Sequence, residues 1–226
     1  ASFRAMFLDE ARIAARLHHA NVVEVVDLGE HDRVLYLAMA YVEGDSLLGL
    51  RDRLRLQRPE PPRFELGVAL RVVSDACAGL HAAHELLDEE GRRLDLVHRD
   101  VSPHNILVGI DGVARLSDFG IAKILGRMSE KTETGQVKGK LSYLSPEQTQ
   151  RLPADRRSDL FSAGIVLWEL ITGARLFRAD DEATTLLNVT NKAVPDPRAL
   201  VELPDAVAEV VLKSLARAPK ERFQTG

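Results

Sequence analysis

The alternation of apolar and polar positions predicts a helix at the start of the chain. One stripe repeats at steps of three and four residues and consists of Phe3, Phe7, Glu10, Ala14 and Leu17. This period predicts an amphipathic helix over Phe3–Leu17. Glu10 then lies on the apolar face, so its carboxylate is either exposed at a helix end or paired with a cation.

Two β-rich runs follow this helix, Val22–Leu28 and Val34–Ala40, and the residues Gly-Glu-His-Asp-Arg separate them. This composition predicts a strand, a turn and a strand, which together form a small sheet. Residues 51–63 are basic and contain proline, and they predict the end of a helix followed by a surface loop.

Helices dominate the sequence after residue 63. The apolar steps of Phe64–Leu87 predict a helix with one buried side, whereas Leu160–Ile171 is apolar nearly all round and predicts a central, buried helix. Two further helices are predicted at about Glu182–Asn191 and Asp205–Leu215.

Short strands are predicted between the first two of these helices. Leu94–Val97 has the composition of a strand, and Asn105–Leu116 predicts a hairpin that turns at Asp111-Gly112. The polar residues Ser117–Ser142 have no sustained period and predict a long loop. No linker or fixed-period repeat divides the chain, so we expect one domain.

The composition excludes several classes of protein. The 226 residues are 45% hydrophobic and 28% charged, which is sufficient for a folded core. A net charge of -4 excludes a protein whose main role is to coat nucleic acid or an anionic membrane. No apolar stretch is expected to span a bilayer. The single cysteine, Cys77, is expected to lie in the core, and the lack of a second cysteine favours a reducing, cytoplasmic compartment.

Three polar residues carry the clearest chemistry. Asp100 and Asn105 precede the predicted hairpin, and Asp118 follows it. Because a hairpin brings its two ends together, these three side chains can converge at the open end of the hairpin. Hard oxygen ligands of this kind suit magnesium.

The order of the motifs is typical of protein kinases: H-R-D at residues 98–100, N at 105 and D-F-G at 118–120. From Phe3 to its C-terminus, the chain resembles the eukaryotic-like, Hanks-type serine/threonine protein kinases of bacteria. Further matches follow in the order of the family: S-P-E-Q at residues 145–148, then Asp159 leading a helix, then Arg222, which in the family pairs with the glutamate at 147.

The resemblance implies an α+β, protein-kinase-like fold. We expect residues 1–226 to form a single partial kinase domain, with a truncated small lobe and a mainly α-helical large lobe. Residues 1–42 would be the remnant of the small lobe and the hinge. Residues 43–226 would be the large lobe without its last helix. The two strands of the small lobe should expose apolar surface.

Each motif also has a simpler interpretation when it is considered alone. A D-F-G is usually a turn, an H-R-D is usually surface polarity, and Asp159 could be a helix N-cap. The joint order and spacing favour the kinase interpretation.

The resemblance implies ATP and magnesium as cofactors and a protein as the substrate, with no nucleic-acid partner and no membrane contact by this segment. Asp100 would accept the hydrogen bond of the substrate hydroxyl, and Asn105 and Asp118 would hold the magnesium ions that bridge the ATP phosphates. His98 and Phe119 would pack beneath the site.

The resemblance also assigns residues around the adenine. Met39 would be the gatekeeper, Ala40 to Val42 the hinge whose backbone bonds the base, and Leu107 the apolar floor. Met39 and Leu107 could equally be ordinary core residues, and both interpretations can hold together. Glu10 would be the helix-C glutamate that pairs with a lysine.

Regulation by an activation loop is a further implication of the resemblance. Arg99 would face an anion, and Thr132 and Thr134 are in the register of the phosphoacceptors.

The sequence departs from the family in two places. The Gly-rich loop and the β3 lysine precede helix C in the family, but only nine residues precede Glu10 and none is a lysine. We therefore expect a segment of a longer kinase that by itself binds ATP weakly or not at all and is inactive. Ser102 stands where the family has a catalytic-loop lysine, and Lys140 stands where it has a threonine. We hypothesise that Lys140 restores the charge lost at residue 102. The alternative is a solvated loop lysine.

Three functions compete at this stage. The first is an ATP- and magnesium-dependent protein serine/threonine kinase, and the second is a pseudokinase that recruits partners. The third is a small-molecule kinase of related fold, which the S-P-E ending of the segment after D-F-G disfavours. Because Ser102 and Lys140 are altered, the choice between serine/threonine and tyrosine acceptors stays open.

Overall fold

The computed structural model describes residues 13–32, 34–57, 62–119 and 139–226. Glu10, Thr132 and Thr134 lie outside these ranges, as does most of the first predicted helix. The described part of that helix ends at Ala14, and Ala14 and Leu17 are both buried, as the apolar stripe predicts.

The predicted strand pair forms an antiparallel hairpin of β1 (Val25–His31) and β2 (Val34–Met39). β1 begins and ends three residues later than predicted, because residues 29–31 pair with β2 and do not form the turn. Asp32 turns the chain with a φ of 49°. The hairpin exposes apolar side chains, as expected, and these are Val26, Val34, Tyr36 and Met39.

A second sheet has the order β3-β4-β5 and is antiparallel throughout. Its strands are β3 (Gly44–Ser46), β4 (Ile106–Gly109) and β5 (Ala114–Leu116). The hairpin predicted over Asn105–Leu116 is therefore confirmed. Its turn contains Gly112 at a φ of 75°, a conformation that glycine adopts without strain.

The strand predicted at Leu94–Val97 is wrong. Leu96 and Val97 are buried, but this segment contains no strand and joins neither sheet, and Asp95 within it has a φ of 46°. An apolar run indicates burial in the core, and both strands and loops can be buried there.

Six helices complete the described part of the chain. The first two are α1 (Leu47–Gln57) and α2 (Leu66–His84), the next two are α3 (Pro146–Thr149) and α4 (Arg156–Thr172), and the last two are α5 (Glu182–Asn191) and α6 (Asp205–Ser214). Three short 3-10 helices lie at Leu141–Tyr143, Pro197–Ala199 and Pro219–Glu221. Residues 51–57, which were predicted as the end of a helix, extend α1, and Arg51 on that helix is buried.

The core of the large lobe forms around α4. Every residue from Ser158 to Thr172 is buried, as the apolar-all-round pattern predicts. α2 packs against α4 and β5, and α6 packs against α4. The length and hydropathy of α2 are sufficient for a membrane-spanning helix, although no such stretch was expected from the sequence. However, nine residues of α2 are buried in this core. Such packing is that of a core helix in a globular protein.

Candidate active site

A buried carboxylate at the start of α4 holds the loop that carries H-R-D. Asp159 is 1% exposed and accepts backbone hydrogen bonds from His98 at 2.9 Å and from Arg99 at 2.8 Å. It also pairs with His84 Nε2 at 2.8 Å. The N-cap of α4 is Asp155, so the N-cap interpretation of Asp159 is wrong. Asp159 instead fixes the backbone of the catalytic loop.

Arg99 has a strained backbone that is held from both sides. Its φ is 68°, in the left-handed region that non-glycine residues rarely adopt. Asp159 accepts from its N–H, and Gln148 Nε2 donates to its carbonyl at 2.8 Å. Gln148 belongs to a capping box with Ser145 at the start of α3. The S-P-E-Q motif thus positions the residue next to Asp100.

Asp100 receives two side-chain donors on one carboxylate oxygen. Asn105 Nδ2 donates to Asp100 Oδ2 at 2.9 Å and to the Asp100 carbonyl at 2.8 Å, and Lys140 Nζ lies 2.6 Å from Oδ2. The Asp100 side chain is 19% exposed. Both side-chain donors end on Oδ2, and no described side chain donates to the second oxygen, Oδ1.

Ser117 links Asn105 to Asp118. The Ser117 N–H donates to the Asn105 carbonyl at 2.9 Å, and Ser117 Oγ donates to Asp118 Oδ2 at 3.3 Å. Below them His98 Nε2 donates to the Ser117 carbonyl at 2.9 Å, and the rings of His98 and Phe119 lie 4.5 Å apart. His98 and Phe119 are buried, as expected of packing residues.

The donor set around Asn105 and Asp118 fits magnesium. Because Asn105 Nδ2 is committed to Asp100, the amide oxygen is the atom that a cation would use. Asp118 adds a carboxylate, and both are the hard oxygen ligands that magnesium prefers. Asp118 holds a φ of 60°, a second strained backbone in this site.

The predicted adenine residues are only partly brought together. Met39 lines a small pocket with Asp118 and Phe119, whereas Leu107 lies in β4 opposite Ser46 and Arg115. The Ala40 N–H already donates to the Glu24 carbonyl at 2.8 Å. The hinge groups that could serve a base are therefore the Ala40 carbonyl and the backbone of the next two residues.

The end of the activation segment is held by a buried ion pair. Arg222 Nη1 and Nη2 lie 2.7 and 2.9 Å from the two oxygens of Glu147, and the side chains are 0% and 9% exposed. Burial alone would raise the pKa of Glu147, but the hydrogen bonds from Arg222 and Ser158 outweigh burial and lower it. The structure brings together the two residues that the motif order predicted to pair.

A second buried cluster was missed by the sequence analysis. Glu169 of α4 accepts hydrogen bonds from Tyr143 OH at 2.7 Å, from Arg175 at 3.0 Å and from Arg51 at 3.2 Å. Burial beside Glu169 raises the pKa of Tyr143. A signal existed in the sequence, because Glu169 is a carboxylate inside an apolar helix and such a group needs a cation.

A cleft of about 670 Å³ is lined by two of the predicted hinge residues, Ala40 and Val42, together with residues that include His18, Asp111 and Arg115. None of the predicted magnesium or hydroxyl-binding residues lines it. Among the described residues, no group of three or more His, Cys, Asp or Glu side chains is arranged to hold a metal ion.

The fold and this site define a protein kinase. A family model described as a protein kinase domain matches residues 2–225. The chain therefore belongs to the protein kinase family, and the resemblance to bacterial kinases of the eukaryotic-like type is confirmed.

Two relatives show the range of names in this family. The tyrosine-protein kinase MasK of Myxococcus xanthus is 39% identical over 224 residues, which are 99% of this chain and 34% of that protein. The serine/threonine-protein kinase PknB of Mycobacterium leprae is 34% identical over an alignment of 229 residues, which covers 99% of this chain and 34% of that protein. The chain thus spans about a third of the length of these relatives.

The fold is also that of a solved kinase. The crystal structure of the Mycobacterium tuberculosis PknI kinase domain superposes with a TM-score of 0.70 at 28% sequence identity, covering 99% of this chain and 74% of that one. The predicted class, an α+β kinase fold with few strands and a helical large lobe, is confirmed.

Proposed function

We propose that the complete gene product transfers the γ-phosphate of ATP to serine and threonine hydroxyls of protein substrates. The observation that carries this proposal is the fixed position of Asp100. Asn105 and Lys140 hold one of its oxygens, and Asp159 clamps the backbone on its N-terminal side.

Positioning and charge account for most of phosphoryl transfer. Asp100 orients the substrate hydroxyl through its free oxygen and takes its hydrogen bond. Asn105 and Asp118 hold magnesium, which when bound supplies positive charge to the phosphate oxygens. Met39, Ala40, Val42 and Leu107 accommodate the adenine, and Glu10, outside the described residues, takes the place of the helix-C glutamate.

Lys140 acts in this proposal as the cation that the catalytic loop lacks. Ser102 is 0% exposed, and its Oγ has no hydrogen-bond partner in the described part of the chain, so a neutral, buried hydroxyl stands at this position and supplies no positive charge. Lys140 instead reaches Asp100 from across the site. A solvated loop lysine would not be expected to form a 2.6 Å contact with a carboxylate that is 19% exposed.

The activity is tested by incubating the complete gene product with labelled ATP, magnesium and a general protein substrate. The matched control is Asp100→Asn, which keeps the shape of the side chain and removes its charge. Incorporation by the parent protein and not by the control supports the enzyme. Equal incorporation by both proteins rejects it and leaves a protein-binding module.

Tyrosine is a second candidate acceptor, because MasK is named a tyrosine kinase and because residues 102 and 140 both differ from the serine/threonine pattern. Phosphoamino-acid analysis of the labelled product distinguishes the two acceptors. Phosphotyrosine alone would overturn the serine/threonine assignment.

The role of Lys140 is tested by charge relocation. Lys140→Ala should lower kcat, and adding Ser102→Lys to that variant should recover part of it. Thermal unfolding checks that both variants are folded. A folded double variant with no recovery defeats the compensation idea. Weak binding of magnesium-ATP by the 226-residue chain alone stays a prediction for calorimetry.

A further inference from the structure

Four basic side chains gather beside Asp100. We call Arg51 of α1, His104 of the catalytic loop, Lys140 and Arg175 the basic cluster. Burial lowers the pKa of His104, and the charges of Lys140, Arg51 and Arg175 lower it further while Asp100 raises it. Each of these charged groups therefore acts on His104. Direct contacts support the grouping, because Arg51 and Arg175 both donate to Tyr143 OH and to Glu169, and Lys140 pairs with Asp100.

Positive charge exceeds negative charge in this cluster. Glu169 is shared between Arg51 and Arg175, and it also accepts from Tyr143 OH. Asp100 is paired with Lys140. Three permanent cations thus face two carboxylates among the described residues, and one of these carboxylates is the group assigned to the substrate hydroxyl.

Several buried nitrogen atoms of the cluster also lack a hydrogen-bond partner among the described residues. Arg51 is 5% exposed, and within the described ranges its Nε and Nη2 have no hydrogen-bond partner. His104 Nδ1 is likewise buried without a partner. Buried guanidinium donors without an acceptor are unfavourable, so the arrangement favours an additional anion.

The basic cluster can be reached from solvent. The side chains of Lys140 and Arg175 are 37% and 25% exposed, whereas the side chain of Arg51 is only 6% exposed. An anion that comes from solvent would therefore meet Lys140 and Arg175 before it meets the buried Arg51.

We propose that the basic cluster binds an anionic side chain, a carboxylate or a phosphate, of the protein substrate. An extended peptide advances about 3.3 Å per residue, so a side chain within about three residues of the acceptor hydroxyl can reach the cluster while the hydroxyl lies at Asp100. The kinase would accordingly select acidic or already phosphorylated segments. This inference rests on the proposed function for its substrate, and its test does not depend on turnover.

The test measures peptide binding to the complete gene product by titration calorimetry. Peptides with a central serine carry Glu, Gln, Lys or phosphoserine at one flanking position at a time. At the position that reaches the cluster, the Glu peptide should bind about tenfold or more tightly than the Gln peptide, because it gains charge-assisted hydrogen bonds. The Lys peptide should bind more weakly than both, and the phosphoserine arm shows which anion is preferred.

Substitutions of two arginines test whether the basic cluster causes the preference for the Glu peptide. Arg175→Gln should reduce the ratio of Gln to Glu dissociation constants, and Arg175→Lys, which keeps the charge, should retain most of it. The matched control is Arg178→Gln at an exposed arginine three residues away, where the ratio should not change.

Two results would overturn the inference. The first is a wild-type protein that binds the Glu and Gln peptides equally at every position, and the second is an equal loss of preference in Arg175→Gln and Arg178→Gln. Because binding is measured without turnover, an inactive protein that still prefers acidic peptides would reject the proposed function and keep the basic cluster.

Discussion

Replacement of Arg222 by methionine should destabilise the large lobe strongly, because it leaves a buried carboxylate without its cation. Arg222 is buried with both terminal nitrogens on Glu147, and it also donates to the carbonyls of Arg157, Ala216 and Arg217. Its guanidinium lies 4.7 Å from the Phe161 ring centroid. Methionine can replace the packing of the stem but none of these five hydrogen bonds.

The expected loss follows from the burial of the pair. Breaking a buried ion pair by removing one partner costs about 3 to 5 kcal/mol. Since about 1.4 kcal/mol changes an equilibrium constant tenfold, the opening equilibrium should rise by roughly a hundredfold to a few thousandfold. Ser158, which donates to Glu147 at 2.6 Å, partly compensates and favours the lower part of this range.

Hydrogen exchange of the most protected α4 amides, measured by mass spectrometry on the complete gene product, reads this equilibrium directly. Arg222→Lys should lose less, because the charge remains while the two-pronged geometry is lost. Adding Glu147→Gln to Arg222→Met should cost less than the sum of the single changes. An increase in α4 exchange below about tenfold for Arg222→Met would refute the reasoning, since breaking this pair predicts at least a hundredfold.

The pH dependence of the same pair has a definite sign. Folding lowers the pKa of Glu147, so its contribution to stability is fully present above the pKa of the unfolded chain, near 4.5. It is lost as the pH falls through the lower pKa of the folded protein. Arg222→Met should therefore show a smaller loss of α4 protection on acidification than the parent protein shows.

Three further predictions test the packing around two glycines, the burial of Cys77 and the bracing of the H-R-D loop by Asp159. Gly164→Ala places a Cβ 2.8 Å from Ser214 Cβ and should cost about 1 to 3 kcal/mol, whereas Gly67→Ala meets nothing within 4 Å and should gain about 0.4 to 1 kcal/mol; thermal midpoints that shift the same way would contradict this contrast. Burial raises the pKa of the Cys77 thiol to about 11, so at about pH 8 its alkylation, followed by peptide mass spectrometry, should be on the order of a hundredfold slower than in the unfolded protein, and equal rates would contradict its burial. Asp159→Asn should lower kcat more than it changes the KM for magnesium-ATP in steady-state assays, because it loosens the loop that holds Asp100, the proposed hydroxyl-binding residue; an unchanged kcat would remove its bracing role.

Local patterns were sufficient where one element or one turn decides the structure. α5 matches its predicted bounds at both ends, and an Asp181 side chain accepts from the Thr184 N–H at its start. The turn at Gly112 follows from the composition of two residues. In the same way, α4 is buried all round because its sequence has no polar face.

The same patterns failed where burial and hydrogen bonding come from distant residues. Leu96 and Val97 have the composition of a strand, but no strand lies beside them. Arg51 opens a basic, proline-containing run that predicts a helix end and a surface loop, but its side chain is buried against Glu169, 118 residues away in sequence.

The sequence by itself determined the family, the order of the motifs and the catalytic candidates, because these depend on residue identity and spacing along the chain. Only the tertiary structure decided that Lys140 meets Asp100, that Ser102 is buried and that four basic residues gather beside them. Contacts between residues 40 or more positions apart are set by the packing of α1, α4 and the catalytic loop around one core. A local sequence pattern contains no information about contacts between residues so far apart in the chain.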